Sequence, residues 1–230
     1  MEEMTLQNER LKRKIKAVYG ALRRIGLKNK EFSIISNNCW GGLVYDAFHM
    51  RYLTPTIGLW IPSDDYIRFL SNLEHYLSID IYQISYSECH AKNILIERKK
   101  KGIYQDRLED LIIGRLDDVD IIFLHYANFK DAKDKWDRRK KRINYDNLIV
   151  KYNDQNGFIP AFLDQYRNLP YKCKLFFSAN ENLVRIFGKG GFLFQERDKE
   201  GNVNDTVIDR QPFSIKQLLN DAWQKRENAL

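Results

Sequence analysis

The amino-acid sequence predicts an α/β fold: a mainly parallel, Rossmann-like sheet with helices on both faces, plus an N-terminal helix and a C-terminal β-hairpin and helix. Three observations predict it. Apolar runs of strand length alternate with segments of helical period along most of the 230 residues, the signature of strand–helix–strand units. The most apolar run, "VDIIFLHY" (Val119 to Tyr126), reads as a strand buried on both faces. The composition, 43% hydrophobic and 30% charged, is that of an ordinary soluble chain able to build a substantial core.

Taken in order, residues 5–27 form an amphipathic helix, because Leu11, Ile15, Val18, Leu22 and Ile25 recur at helical spacing with basic residues between them. Gly26 stops it. Residues 32–36 are a short strand and 41–50 a helix. Residues 57–61 are a second strand after the turn at Pro55. Ser63 caps a helix carrying Tyr66, Phe69, Leu70, Leu73 and Tyr76. Strands are expected over 79–85, 93–97, 111–116 and 119–126. Asn128 caps a helix with Phe129, Ala132, Trp136 and Ile143 along one side. A strand over 147–152, a helix over 158–168 and a strand over 173–178 follow. In the tail, two extended runs around "DKEGN" read as a hairpin, and Ser214 caps a final helix reaching Trp223. The whole of 1–230 is read as a single α/β domain, with 186–230 as a hairpin-helix extension.

Charge and composition narrow the function classes. No stretch approaches the roughly 20 apolar residues that span a bilayer, and the first 20 residues lack a signal-peptide core, so a cytoplasmic protein is expected. Cys39, Cys89 and Cys173 are far apart, and His49, His75, His90 and His125 form no ligand motif. Neither a disulfide framework nor a metal site is therefore expected. The net charge of +7 suits phosphorylated substrates, an anionic membrane surface or nucleic acid. Nucleic acid is disfavoured: the aromatics are spread through core elements, and no known module is present. Oligomeric state is not legible.

The corner "FSIISNNCWGGLVYDAF" (Phe32 to Phe48) concentrates the chemistry. In open α/β sheets ligands bind beyond the carboxyl ends of the strands. Asn37, Asn38 and Cys39 occupy such an end, and Gly41 and Gly42 allow close approach. The following helix N-terminus favours an anion and should lower the Cys39 thiol pKa. Alternatively Cys39 and Trp40 simply pack the corner, and the asparagines form turns. The pattern is neither a dinucleotide fingerprint nor a P-loop. His125, ending the strongest strand, is the candidate general base for Cys39. Arg138, Arg139, Lys141 and Arg142 supply phosphate-binding cations. Asn144, Asp146, Asn147, Lys151, Asn153 and Asp154 form a polar set suited to a sugar or nucleotide. Thr54, Pro55 and Thr56 either turn the chain or line the same cleft.

The stretches "SNNCWGG", "YLTPTIGL", "YIRFLSNLEHYL", "IIFLHY", "KWDRRKKRINYDNLIVKYND" and "LPYKCKLFFSA", in this order, resemble a bacterial domain of unknown function often labelled exopolysaccharide or capsule biosynthesis protein. The resemblance covers about 32–179 and implies an α/β fold and a cytoplasmic role in surface-polysaccharide assembly. It carries no established reaction. The segment "ECHAKNILIERKKKGIYQDR" departs from the family pattern and leaves strand order between 80 and 118 open.

Together these readings predict a transferase that moves an acyl group onto a sugar precursor. Cys39 and His125 are the catalytic candidates. The substrate-binding candidates are Asn37, Asn38, Gly41, Gly42, Thr54, Thr56, Arg138, Arg139, Asn144, Asp146, Asn147, Lys151, Asn153 and Asp154. The donor would be acyl-CoA, and the acceptor a phosphorylated or lipid-linked sugar. The alternatives are a glycosyltransferase-like enzyme using a nucleotide-sugar, or a non-catalytic scaffold at the anionic inner membrane face. "LDDVD" offers no convincing Asp-x-Asp metal motif.

Overall fold

The computed structural model describes residues 2–103 and 107–227. Its first parallel strand, β1 (Ser33–Ser36), pairs with β6 (Leu148–Asn153). β6 pairs with β7 (Cys173–Ser178), and β7 with β8 (Gly191–Leu193), all in parallel. A second sheet is wholly antiparallel, in the order β2 (Leu59–Trp60), β5 (Val119–Phe123), β4 (Ile112–Leu116), β3 (Tyr82–Ile84). The fold is thus mixed α/β with two four-stranded sheets, and the expected mainly parallel sheet accounts for only one of them.

The difference has a local cause. Leu116 pairs directly with Val119, and Asp117 takes φ 50°, so Asp117-Asp118 closes a two-residue hairpin. A parallel neighbour would need a crossover of a dozen residues or more. Val119–Phe123 is buried on both faces as expected, but in the antiparallel sheet, and the run emerges at the exposed Leu124 and His125.

The helices are α1 (Glu2–Arg24), α2 (Trp40–Ala47), α3 (Ser63–Ser71), α4 (Leu73–Ser78), α5 (Lys92–Lys100), α6 (Phe129–Lys140), α7 (Pro160–Asn168), α8 (Glu181–Phe187) and α9 (Ile215–Glu227). Alternation along the parallel strands explains the layering. Ile34, Ile149, Leu175 and Phe177 face α2 and α9, through Trp40, Val44, Tyr45 and Leu219. Ile35, Val150, Tyr152 and Phe176 face the other way. They share a core with Tyr66 and Phe69 of α3, Trp136 of α6, Tyr166 of α7, and Ile121 and Phe123 of the antiparallel sheet. The far side of that sheet is closed by α5 through Leu95, against Trp60, Ile113 and Ile122.

Three further expectations change. Residues 93–97 lie in α5 rather than a strand, since Leu95 and Arg98 face inward one turn apart and the chain ends in basic residues suited to a helix C-terminus. The tail is not a regular hairpin. The Asn180 side chain caps α8, accepting from Asn182 N at 3.0 Å, and α8 carries the chain over so that β8 runs parallel to β7. The turn "DKEGN" keeps only one antiparallel bridge, Arg197 to Val203. Ser63 begins α3 rather than capping it, and its hydroxyl donates to Gln155 O at 2.8 Å. The other two caps hold: Asn128 accepts from Asp131 N at 2.9 Å, and Ser214 from Gln217 N at 3.3 Å.

Candidate functional site

Four of the predicted residues, Cys39, Gly42, His125 and Arg139, line one cleft of about 260 Å³, with Asp46, Tyr52 and Tyr126 beside them. Cys39 arrives on the turn between β1 and α2. His125 arrives by another route. It follows β5, whose pairing continues past the strand end as Leu124 N and His125 N donate to Gly58 O at 2.8 and 3.3 Å. Gly58 has φ 63°, and a Cβ there would lie 3.3 Å from the His125 Cβ. Glycine is needed at this position both for the backbone and for the approach.

The cleft carries positive charge. Arg139 donates to Tyr126 Oη at 2.8 Å and lies 4.9 Å over the Tyr52 ring; Tyr126 Oη in turn donates to Ile57 O at 2.5 Å. Burial first, then the charges of Arg51, Arg138 and Arg139, push the Arg142 guanidinium below its usual range. Those four arginines therefore share one neighbourhood. Among the described residues, none of them forms an ion pair with a carboxylate. Unopposed guanidinium groups beside a cleft are suited to a phosphate or carboxylate.

The expected lowering by the helix N-terminus is outweighed by burial and, next, by the Asp205 charge, which push the Cys39 thiol from 9.0 up to about 11. Its Sγ donates to Leu59 O at 3.7 Å. On its other side Cys39 borders a second, mainly apolar cavity of about 290 Å³ that also reaches Asn38, Trp60 and Leu124.

The asparagines of the corner belong to a buried network. Asn37 Nδ2 donates to Asn153 Oδ1 at 2.7 Å, and Asn38 Nδ2 to Asp205 Oδ1 at 2.8 Å. Lys151 donates to Asn38 Oδ1 at 3.0 Å and forms an ion pair with Asp205, both side chains fully buried. Asn38 Oδ1 also accepts from Trp40 N at 3.1 Å, so the network holds the start of α2. Lys151 is thereby committed to Asp205 rather than offered to a phosphate. Burial lowers its pKa, against the opposing pull of Asp205. Asp154 bridges strands and tail, accepting from Ala179 N at 3.2 Å and Val203 N at 3.0 Å.

The remaining candidates lie elsewhere. Thr56 is buried and bonds the edge of β1, accepting from Ser36 N and donating to Ile34 O, both at 3.3 Å, with Thr54 at 3.0 Å behind it. Gly41 packs: a Cβ there would lie 3.0 Å from Ile34 Cγ2. Asn144, Asp146 and Asn147 precede β6, so they stand at its amino end, opposite Asn153 and Asp154. Asn144 donates to Glu31 O at 2.9 Å and Asn147 to Asn29 Oδ1 at 2.6 Å. Arg138 is exposed next to Arg142.

Sequence reading missed Asp46, Tyr52 and Tyr126 of the cleft, and Asp205. Tyr126 adjoins His125 and was reachable; Asp205 lies in a tail with no motif. It also missed a cluster of Asp65, His90 and Asp120, whose potential ligand atoms lie within 4.8 Å of one another. Arg68 and Arg115 already pair with its two carboxylates, so the charges compensate and the cluster ties α3 to β5.

The comparisons with known proteins follow the same outline. A protein of Haemophilus influenzae described as uncharacterized is 25% identical over 152 residues, 66% of this chain. The chain spans 64% of that protein's length. Neither its description nor that of the matching family names a reaction or a link to exopolysaccharide assembly. The family model matches residues 10–222, nearly the whole chain, which is therefore a member of the DUF1919 family, a domain of unknown function.

Proposed function

We propose that this protein is a transferase acting on a phosphorylated or otherwise anionic sugar in the cleft between Cys39, His125 and Arg139. The observation that carries the reading is that one cleft combines an exposed imidazole, a sheltered thiol and the guanidinium of Arg139, which has no carboxylate partner among the described residues. Arg139, with Arg138 and Arg142 nearby, would hold the substrate's anionic group. His125 would accept the proton of the attacking sugar hydroxyl.

For acyl transfer the steps balance without a covalent enzyme intermediate. The sugar oxygen bonds to the thioester carbonyl carbon of acyl-CoA, and the C–S bond breaks. The hydroxyl proton passes to His125 and then to the departing thiolate. A neutral, half-buried Cys39 supports this direct route, with the thiol shaping the wall. The second reading is glycosyl transfer from a nucleotide-sugar, whose phosphates the guanidinium of Arg139 would hold in the same cleft. The setting in surface-polysaccharide assembly, in the cytoplasm, rests on motif resemblance alone.

The test is a thermal-shift panel of acyl-CoA compounds, nucleotide-sugars and sugar phosphates on wild type and Arg139→Ala. A ligand that binds the folded state raises the melting temperature by mass action. The reading expects a shift that the variant loses. A shift unchanged in Arg139→Ala would remove the cleft from the account.

A further inference from the structure

α1 is mounted with its amphipathic face reversed. Its contacts with the rest of the protein are made by small and charged residues. Gly20 is buried so tightly against His49 that no Cβ fits there. Lys16 Nζ pairs with Asp46 Oδ2 at 2.5 Å, Arg24 donates to His49 O at 2.9 Å, and Arg23 pairs with Asp209. The apolar stripe of Leu11, Ile15, Val18, Tyr19, Leu22 and, just past the helix, Ile25 points away. These residues are exposed, from 47% at Ile15 to 67% at Ile25. Gly20 stands two residues from both Val18 and Leu22, on the far side of a helix with 3.6 residues per turn. A surface helix normally buries such a stripe in its own core, and a contiguous exposed one marks an interaction surface.

Charge selects the occupant. Between positions 10 and 30 the chain carries nine Lys and Arg residues and no Asp or Glu. Lys12 and Lys14 flank the stripe on either side. An apolar stripe edged by basic residues matches the interface of a bilayer with anionic headgroups, where the side chains enter the acyl boundary and the cations meet the lipid charge. A second copy of this helix would set like charges against like along both edges, which disfavours self-association. No helix among the described residues is long and apolar enough to cross a membrane, so α1 would lie along the surface.

We propose that α1 docks this protein on anionic phospholipid bilayers through Leu11, Ile15, Val18, Tyr19 and Leu22. Lys16 ties the helix to Asp46, which lines the cleft. The docking helix is thereby joined directly to the cleft, whose acceptor could be a lipid-linked sugar. The docking is read without turnover and stands apart from the chemistry assigned to the cleft.

The experiment is co-sedimentation of the full chain with phosphatidylcholine vesicles, with and without about 30% phosphatidylglycerol, at low and high salt. The expected result is binding to the anionic vesicles only, weakened by salt. The pair Val18→Glu and Leu22→Glu should lower the partition coefficient at least about tenfold while leaving circular dichroism and melting temperature unchanged, since both side chains are exposed. Equal binding by this variant would overturn the proposal. So would absence of binding by wild type, or a wild-type dimer that the same substitutions split without any vesicle binding.

Discussion

Lys151 of β6 and Asp205 of the C-terminal segment form an ion pair with both side chains fully buried. Asn38 and Asn153 complete its hydrogen bonds, with Asn153 Nδ2 at 3.0 Å from Asp205 Oδ2. The tail is thus part of the corner that presents Cys39. Removing one partner leaves an uncompensated buried charge, which costs about 3–5 kcal/mol. Asp205→Asn should destabilise by about that much in urea unfolding. The double variant Lys151→Met, Asp205→Leu should lose less stability than the sum of its two single variants. Additive losses in the double variant would deny the pairing.

The thiol of Cys39 should be slow to react. With its pKa pushed from 9.0 up to about 11, its thiolate fraction near neutral pH falls about 100-fold. Iodoacetamide labelling read by peptide mass spectrometry should show Cys39 modified far more slowly than a free thiol, with the rate climbing until about pH 11. Rapid labelling at pH 7 would instead identify an activated nucleophile.

The same shift sets a sign for stability against pH. Above pH 9 the unfolded chain releases the Cys39 proton while the folded chain keeps it until about pH 11. The folded state then binds more protons, so stability falls as pH rises through this window. Cys39→Ser should flatten that part of the profile in denaturant titrations at pH 8, 9 and 10. A slope that the substitution leaves unchanged would contradict the burial of the thiol.

Gly58 tests how the cleft is built. Alanine at φ 63° costs about 1–2 kcal/mol, and its Cβ would press on His125 at 3.3 Å. Gly58→Ala should lower the melting temperature by several degrees and weaken cleft ligands more than Gly102→Ala, whose φ of 67° carries the same strain with no neighbour within 4 Å. Equal effects of the two substitutions on ligand binding would separate Gly58 from the site.

Much of the architecture was legible because it rests on local pattern. The period of α6 and its cap at Asn128, and the apolar runs of β1, β6 and β7, follow from neighbours in sequence. Strand direction did not. Whether Val119–Phe123 runs parallel or antiparallel depends on the tight turn at Asp117-Asp118, and "LDDVD" is not a glycine-marked hairpin. His125 was placed at the carboxyl edge on the expectation of a parallel strand; the strand is antiparallel, and His125 lines the same cleft as Cys39 beside Gly58. Among the polar candidates, Asn38, Lys151 and Asn153 face a partner, Asp205, that is distant in the chain. No sequence signal separates a lysine held by a buried carboxylate from one awaiting a phosphate.

The central claim is that the cleft transfers a group onto an anionic sugar with His125 as the base. The most direct measurement is a mass-spectrometric transfer assay with acyl-CoA donors, nucleotide-sugar donors and sugar-phosphate acceptors. Wild type, Cys39→Ala and His125→Ala would be compared. The account predicts product from wild type and Cys39→Ala, and a loss of about 100-fold or more in His125→Ala. Product formed equally well by His125→Ala, or no product from wild type with any donor and acceptor pair, would contradict it.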